Sequence, residues 1–229
     1  MLSVATTRCH EFGQAELVLA FNPRNVIEKD VRWFAAGLEQ MVQSGSRFQA
    51  GQSLQIGWSI AWFVALPDNA LGFEEPDMKS MPVVRQPGLT NSLAHLRLHK
   101  DTLESVLSAE ALSFPSLQQS CLVCTHLSSS GSFLMDRQRP EGGDSGRFVG
   151  CHADGHDHND PSSLRRASLY EAVIAMCPRA LAYLAFPVGA TIAVDEAPLF
   201  FVAGEPLEPR KGSFVDVQRR YQQGQSIIA

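Results

Sequence analysis

The 229-residue chain reads as an α+β protein with mixed, mainly antiparallel sheets and three to four packing helices. Three observations lead there. Some stretches repeat apolar residues at spacings of three and four, the period of a helix with one buried face. Others alternate apolar and mixed residues with a period of two, the pattern of a strand. The two kinds are interspersed without the regular strand–helix rhythm of a parallel α/β sheet.

The first helix is expected over 25–44, where Ile27, Val31, Phe34, Leu38, Met41 and Val42 form one apolar stripe. Asn22-Pro23 supplies a start signal and Gly45 a stop. A single long strand is expected over 54–64, with Leu54, Ile56, Trp58, Ile60, Trp62 and Val64 on one face. Pro67-Asp68-Asn69 turns the chain, and 70–74 pairs back as a hairpin. Pro76, Pro82 and Pro87 confine the next stretch to a loop or a sheet edge. A second helix follows over 91–107, with Thr90 or Asn91 as its cap. Strands are expected at 119–127, at 133–137 as its hairpin partner, and at 147–151. A third helix starts near Ser168, stops at Cys177-Pro178 and resumes through 179–185. Two short strands, 190–194 and 199–203, lead into a polar tail. The expected organisation is an N-terminal α+β extension over 1–115, a second α+β domain over 116–210, and the tail over 211–229.

Hydrophobic residues make up 45 % of the chain and charged residues 19 %, which excludes disordered and collagen-like classes. The net charge of −5, with no basic stripe, argues against a nucleic-acid partner. The longest apolar run, 56–66, is too short to cross a bilayer, so no membrane partner is expected. The N-terminus shows no secretory pattern, and five cysteines, an odd number, suit reduced thiols; the expected compartment is the cytoplasm. Trp33, Trp58 and Trp62 fall on apolar faces and read as core.

Three features invite a chemical reading. Cys121 and Cys124 form a CxxC, but the flanks are strand-like, so the two thiols face opposite sides and read as buried small hydrophobes. The segment 151–160 holds Cys151, His152, Asp154, His156, Asp157, His158 and Asp160. His152, His156, His158 and Asp160 are candidate metal ligands. The same residues equally suit a turn in which Asp and Asn bond their own backbone. Ser145 in Gly-Asp-Ser-Gly lacks the supporting segments of a protease nucleophile. The stretch 136–160 also carries the clearest acidic excess, with six acids against three arginines.

An ordered run in the second half carries a resemblance. It comprises Cys-Leu-Val (121–123), Asp-Ser-Gly-Arg-Phe (144–148), His-Asn-Asp-Pro (158–161), Ser-Leu-Tyr-Glu-Ala-Val-Ile (168–174) and Leu-Ala-Tyr-Leu-Ala-Phe-Pro-Val-Gly (181–189). Over 118–208 this resembles the immunity-protein family thirty-three domain of bacterial polymorphic toxin systems. The family's tryptophan after the glycine is absent here, where Arg147-Phe148 follow Gly146 directly. The resemblance implies a cytoplasmic protein that binds and neutralises a cognate protein toxin, not an enzyme, and no cofactor. The acidic residues Glu141, Asp144, Asp154, Asp157 and Asp160 are the expected contacts to a basic toxin site. The alternatives are a metal-dependent enzyme or sensor built on the 152–160 cluster, or a housekeeping protein without a toxin partner.

Overall fold

The computed structural model describes residues 1–127, 131–152 and 157–224. The fold is α+β, with its strands paired antiparallel except for one parallel pair within the sheets. Two compact units divide the chain, Met1–Arg97 and Leu98–Ala229. The division falls earlier than the change at 115 expected from the sequence.

In the N-terminal unit, β1 (Leu2–Ala5) and β2 (Val18–Phe21) form a two-stranded antiparallel ribbon. Helix α1 (Glu28–Gln43) follows. Its stripe buries Val31, Ala35, Leu38 and Val42, and each fully buried aliphatic contributes about 1.5–3 kcal/mol relative to exposure. Glu28 and Asp30 lie in the first turn, where the helix dipole favours negative charge. Gly45 ends the helix at φ +103°, a left-handed value suited to glycine. Trp33 is 66 % exposed on the outer face of α1, so it does not join the core.

The expected long strand is instead a hairpin, β3 (Ser53–Ile56) and β4 (Ser59–Ala65), turned by Gly57-Trp58. Gly57 sits at φ +60°, which a two-residue hairpin turn requires. The turn exchanges the two faces. Leu54 pairs with Ala61 and Ile56 with Ser59, so Ile56, Ala61 and Phe63 reach the same core cluster. Trp62 lies on the other side, with the Arg85 guanidinium 4.1 Å over its ring. Strand β5 (Leu71–Pro76) pairs back on β4, as expected, and β6 (Arg85–Pro87) forms the proline-bearing edge. Helix α2 (Thr90–Leu103) opens on a buried carboxylate. Glu75 accepts the backbone N–H groups of Asn91 and Ser92, both at 2.7 Å. Burial nevertheless pushes the Glu75 carboxyl above its ordinary range.

The C-terminal unit is built on a seven-stranded sheet. Its strands are β7 (Ser120–Cys124), β8 (Phe133–Arg137), β9 (Asp144–Cys151), β10 (Leu164–Ser168), β11 (Ala190–Val194), β12 (Pro198–Val202) and β13 (Glu205–Leu207). Their spatial order is β10-β7-β9-β8-β11-β12-β13. The expected β7–β8 hairpin is not formed. Strand β9 inserts between the two, parallel to β7 and antiparallel to β8. Between β10 and β11 the chain forms α3 (Leu169–Glu171), a π turn over Ala172–Met176 and a 3-10 stretch over Pro178–Tyr183. Ser168 caps α3, its hydroxyl accepting the Glu171 N–H at 3.1 Å. The last residues are not wholly a polar tail. Phe214–Gln222 forms α4, whose Val215 is buried and donates its N–H to Ser105 Oγ at 3.1 Å.

Candidate functional site on the C-terminal sheet

Pairing register separates the two faces of this sheet. One face buries Val123 of β7, Val149 of β9, Phe133 and Met135 of β8, and Ile192 of β11. Under that face, Phe186 stacks on Phe200 with ring centroids 5.4 Å apart. The same face holds two cations. Arg137 is 4 % and Arg147 1 % exposed. Arg147 donates to the carbonyls of Leu184 and Phe186, the latter at 2.9 Å. Arg137 donates to the Phe186 carbonyl at 2.6 Å and to that of Ser113. Burial, reinforced by the Arg137 guanidinium, pushes Arg147 well below its ordinary range.

Two parts of the ordered run are thus physically joined: the arginine of Asp-Ser-Gly-Arg-Phe clamps the Leu-Ala-Phe segment before Pro187. The glycine of that motif is a backbone requirement. The parallel ladder pairs Ser120 with Asp144 and then Leu122 with Phe148, so Ser145-Gly146 form a bulge. Gly146 takes φ +69°, and a Cβ there would lie 2.2 Å from the Gln138 carbonyl oxygen. Ser145 is fully buried and donates to the Ser120 carbonyl at 2.8 Å, so its role is to hold the bulge.

The opposite face is open. A row of mutual partners crosses it: Arg166, Leu122, Phe148, Asp136, Thr191 and Phe201. Leu122 is 36 % exposed, and Leu199, on the neighbouring row, 53 %. At the β10–β7–β9 end lies a cleft of about 580 Å³, lined by Leu122 and Phe148 and bounded by Arg139, Glu141, Asp144 and Arg166.

Of the acidic residues expected to meet a partner, Glu141 and Asp144 line this cleft, and Asp157 and Asp160 do not. Glu141 is exposed at the cleft, in a turn closed by the Asp144 N–H to the Glu141 carbonyl at 2.9 Å. Asp144 lines the same cleft, but its charge is engaged. It pairs with Arg166, accepts the Ser120 hydroxyl at 3.0 Å and accepts the Gly146 N–H at 2.7 Å. Asp157 accepts the Asn159 N–H at 2.8 Å, closing its own turn. Asp160 caps the turn at Pro161–Ser163 by accepting the Ser162 N–H at 2.9 Å; the bond from the Ser162 hydroxyl, and then that N–H, holds its carboxyl below the usual range. Asp154 and His156 lie outside the described residues.

Of the expected metal ligands, the described ones, His152, His158 and Asp160, are not brought together as a set. His152 is exposed, and Asp160 is occupied as a cap. His158 instead meets two cysteines. Its Nε2 lies 3.8 Å from Cys151 Sγ, which lies 3.6 Å from Cys124 Sγ. Cys121, the other half of the CxxC, is buried elsewhere, and burial with the nearby Asp144 pushes its thiol up to about 12. All five cysteines are buried and none forms a disulfide. Reading the sequence missed the Cys124–Cys151 meeting, because it depends on the parallel β7–β9 pairing. The Leu122–Phe148 pairing on the open face was missed because it depends on strand order.

Comparison of the chain with protein-family models, curated proteins and solved structures gives no match. No described helix is long and apolar enough to cross a membrane.

Proposed function

We propose that the protein is an immunity-type binding protein that neutralises a cognate protein toxin in the cytoplasm by direct contact, without turnover and without a cofactor. The open face of the C-terminal sheet is the contact surface. The observation that carries this reading is the cleft, whose lining sets Leu122 and Phe148 among Arg139, Glu141, Asp144 and Arg166. Apolar side chains set among charged ones suit a protein–protein interface. It lies in the part of the chain that carries the immunity-protein resemblance. Glu141 is the cleft carboxylate left to meet a basic toxin group, because Asp144 is held by Arg166. Binding therefore rests on the apolar side chains more than on a broad acidic field, with Glu141 contributing mainly to the encounter rate.

Co-expression with the toxin encoded beside the gene tests the reading. The protein is expected to restore growth and to co-purify with the toxin. Loss of both, with the protein folded and abundant, would discard it.

A further inference from the structure

Strands β7 and β9 are parallel neighbours, so their C-terminal ends lie side by side. Each of those ends carries a cysteine, Cys124 and Cys151. Their sulfurs, 3.6 Å apart, are well beyond the ~2.05 Å of a disulfide. His158 comes from the segment after β9 and places Nε2 3.8 Å from Cys151 Sγ. The three donor atoms all lie within 4.8 Å of one another.

The two separations that involve Cys151 Sγ, 3.6 and 3.8 Å, are those of a coordination sphere. Zinc binds sulfur at ~2.3 Å and imidazole nitrogen at ~2.0–2.1 Å, and tetrahedral angles then set ligand atoms about 3.6–3.8 Å apart. Two further contacts prepare the donors. The His126 backbone N–H points at Cys124 Sγ at 3.3 Å, a bond that stabilises a thiolate and is typical of the shell around a metal ligand. The His158 ring is held edge-on to Phe148, with centroids 5.4 Å apart. Gly150 leaves room for this pair, since a Cβ there would come within 2.6 Å of the Phe148 ring and 3.2 Å of His158 Cε1. Cys124 and Cys151 are buried, and His158 is half-buried.

We propose that Cys124, Cys151 and His158 form a zinc-binding site. Two thiols and one imidazole suit a borderline-soft divalent cation and not magnesium or calcium, which take oxygen donors. Binding converts both thiols to thiolates and releases two protons to solvent for each zinc bound. Three protein donors leave one tetrahedral position for water or a further ligand. The ion ties the segment carrying His158 to the ends of β7 and β9. The proposal stands apart from the toxin-binding reading, since it concerns a different cluster and is measured without any partner.

The test uses the full-length, tag-free protein, reduced and stripped with a chelator. Zinc alone is titrated in competition with a chromophoric chelator, and cobalt(II) serves as the spectroscopic probe. One zinc per chain is expected, with release of two protons and a higher melting temperature. Cobalt should give sulfur-to-metal charge transfer and the intense visible bands of a tetrahedral site. His158→Ala and Cys151→Ala should each weaken zinc binding at least tenfold, while Cys177→Ala leaves it unchanged. No zinc uptake by the folded, reduced wild type would overturn the proposal. So would uptake that persists undiminished in His158→Ala, or a cobalt spectrum without sulfur charge transfer. A Cys124–Cys151 disulfide that forms under mild oxidation with no protection by zinc would also overturn it, identifying a redox pair instead.

Discussion

The two units bury charge in opposite ways. In the N-terminal unit a buried carboxylate, Glu75, is received by two backbone N–H groups at the start of helix α2. In the C-terminal unit two buried cations, Arg137 and Arg147, are received by carbonyls in irregular backbone. The first arrangement decorates regular structure that periodicity already specifies. The second creates order where no periodicity exists, by tying Phe186 and Leu184 to the sheet. Residues that stand out as a motif in the C-terminal unit are therefore largely internal fasteners. The opposite face of the same sheet carries the residues that alternate with those fasteners, Leu122 and Phe148 among them.

The aromatic residues allow each unit to be followed separately. Trp33, Trp58 and Trp62 belong to the N-terminal unit, and Tyr170, Tyr183 and Tyr221 to the C-terminal one. The largest expected effect comes from Gly146→Ala. It puts a Cβ against the Gln138 carbonyl and a side chain at positive φ, and should cost more than about 3 kcal/mol. Its effect is greatest in the tyrosine near-ultraviolet circular dichroism. A variant that melts with the wild type would remove the bulge from the account.

Arg147→Lys comes next. An ammonium keeps the charge but lacks the planar fork that serves the Leu184 and Phe186 carbonyls together. A loss of about 2 kcal/mol in urea unfolding is expected, again in the tyrosine signal. Unchanged stability would mean the clamp is dispensable.

A third effect concerns the N-terminal unit and is a pH slope. His95 accepts the indole N–H of the buried Trp58 at 3.3 Å, and burial pushes its imidazole down from 6.5 to about 4. The folded state keeps this ring neutral while the unfolded state protonates it below 6.5. The stability it confers is therefore complete above pH 6.5 and is lost as pH falls towards 4. Tryptophan fluorescence against urea should show the midpoint falling across that window. His95→Gln retains a hydrogen-bond acceptor without a titrating ring and should flatten the slope. An equally steep slope in that variant would assign it to other groups.

The contrast also explains what the sequence made legible. Helix α1, the β4–β5 hairpin and strands β11 and β12 rest on local periodicity and turn residues, and they stand where expected. The 54–64 stretch misled because a two-residue turn at Gly57-Trp58 interrupts an unbroken alternation. Phe63 thereby reaches the core, and Trp62 lies on the other side under Arg85. In the C-terminal unit the decisive pairings are nonlocal. Nothing near residues 119–137 signals that β9 inserts between β7 and β8. The Cys124–Cys151–His158 cluster and the Leu122–Phe148 pairing both follow from that insertion. Of the expected acidic contacts, Glu141 and Asp144 share the cleft, while Asp157 and Asp160 serve their own turns.

The most direct test places the two units against each other in one binding measurement. Trp33 is exposed on helix α1 of the N-terminal unit, and Leu122 on the open sheet face of the C-terminal unit. Affinity for the co-expressed toxin is measured for Leu122→Asp and Trp33→Asp, each checked for an unchanged fold. The account predicts that Leu122→Asp weakens binding by about 30-fold, the loss of roughly 2 kcal/mol at an interface centre, and that Trp33→Asp leaves it intact. Full affinity in Leu122→Asp, with the loss appearing in Trp33→Asp, would contradict it.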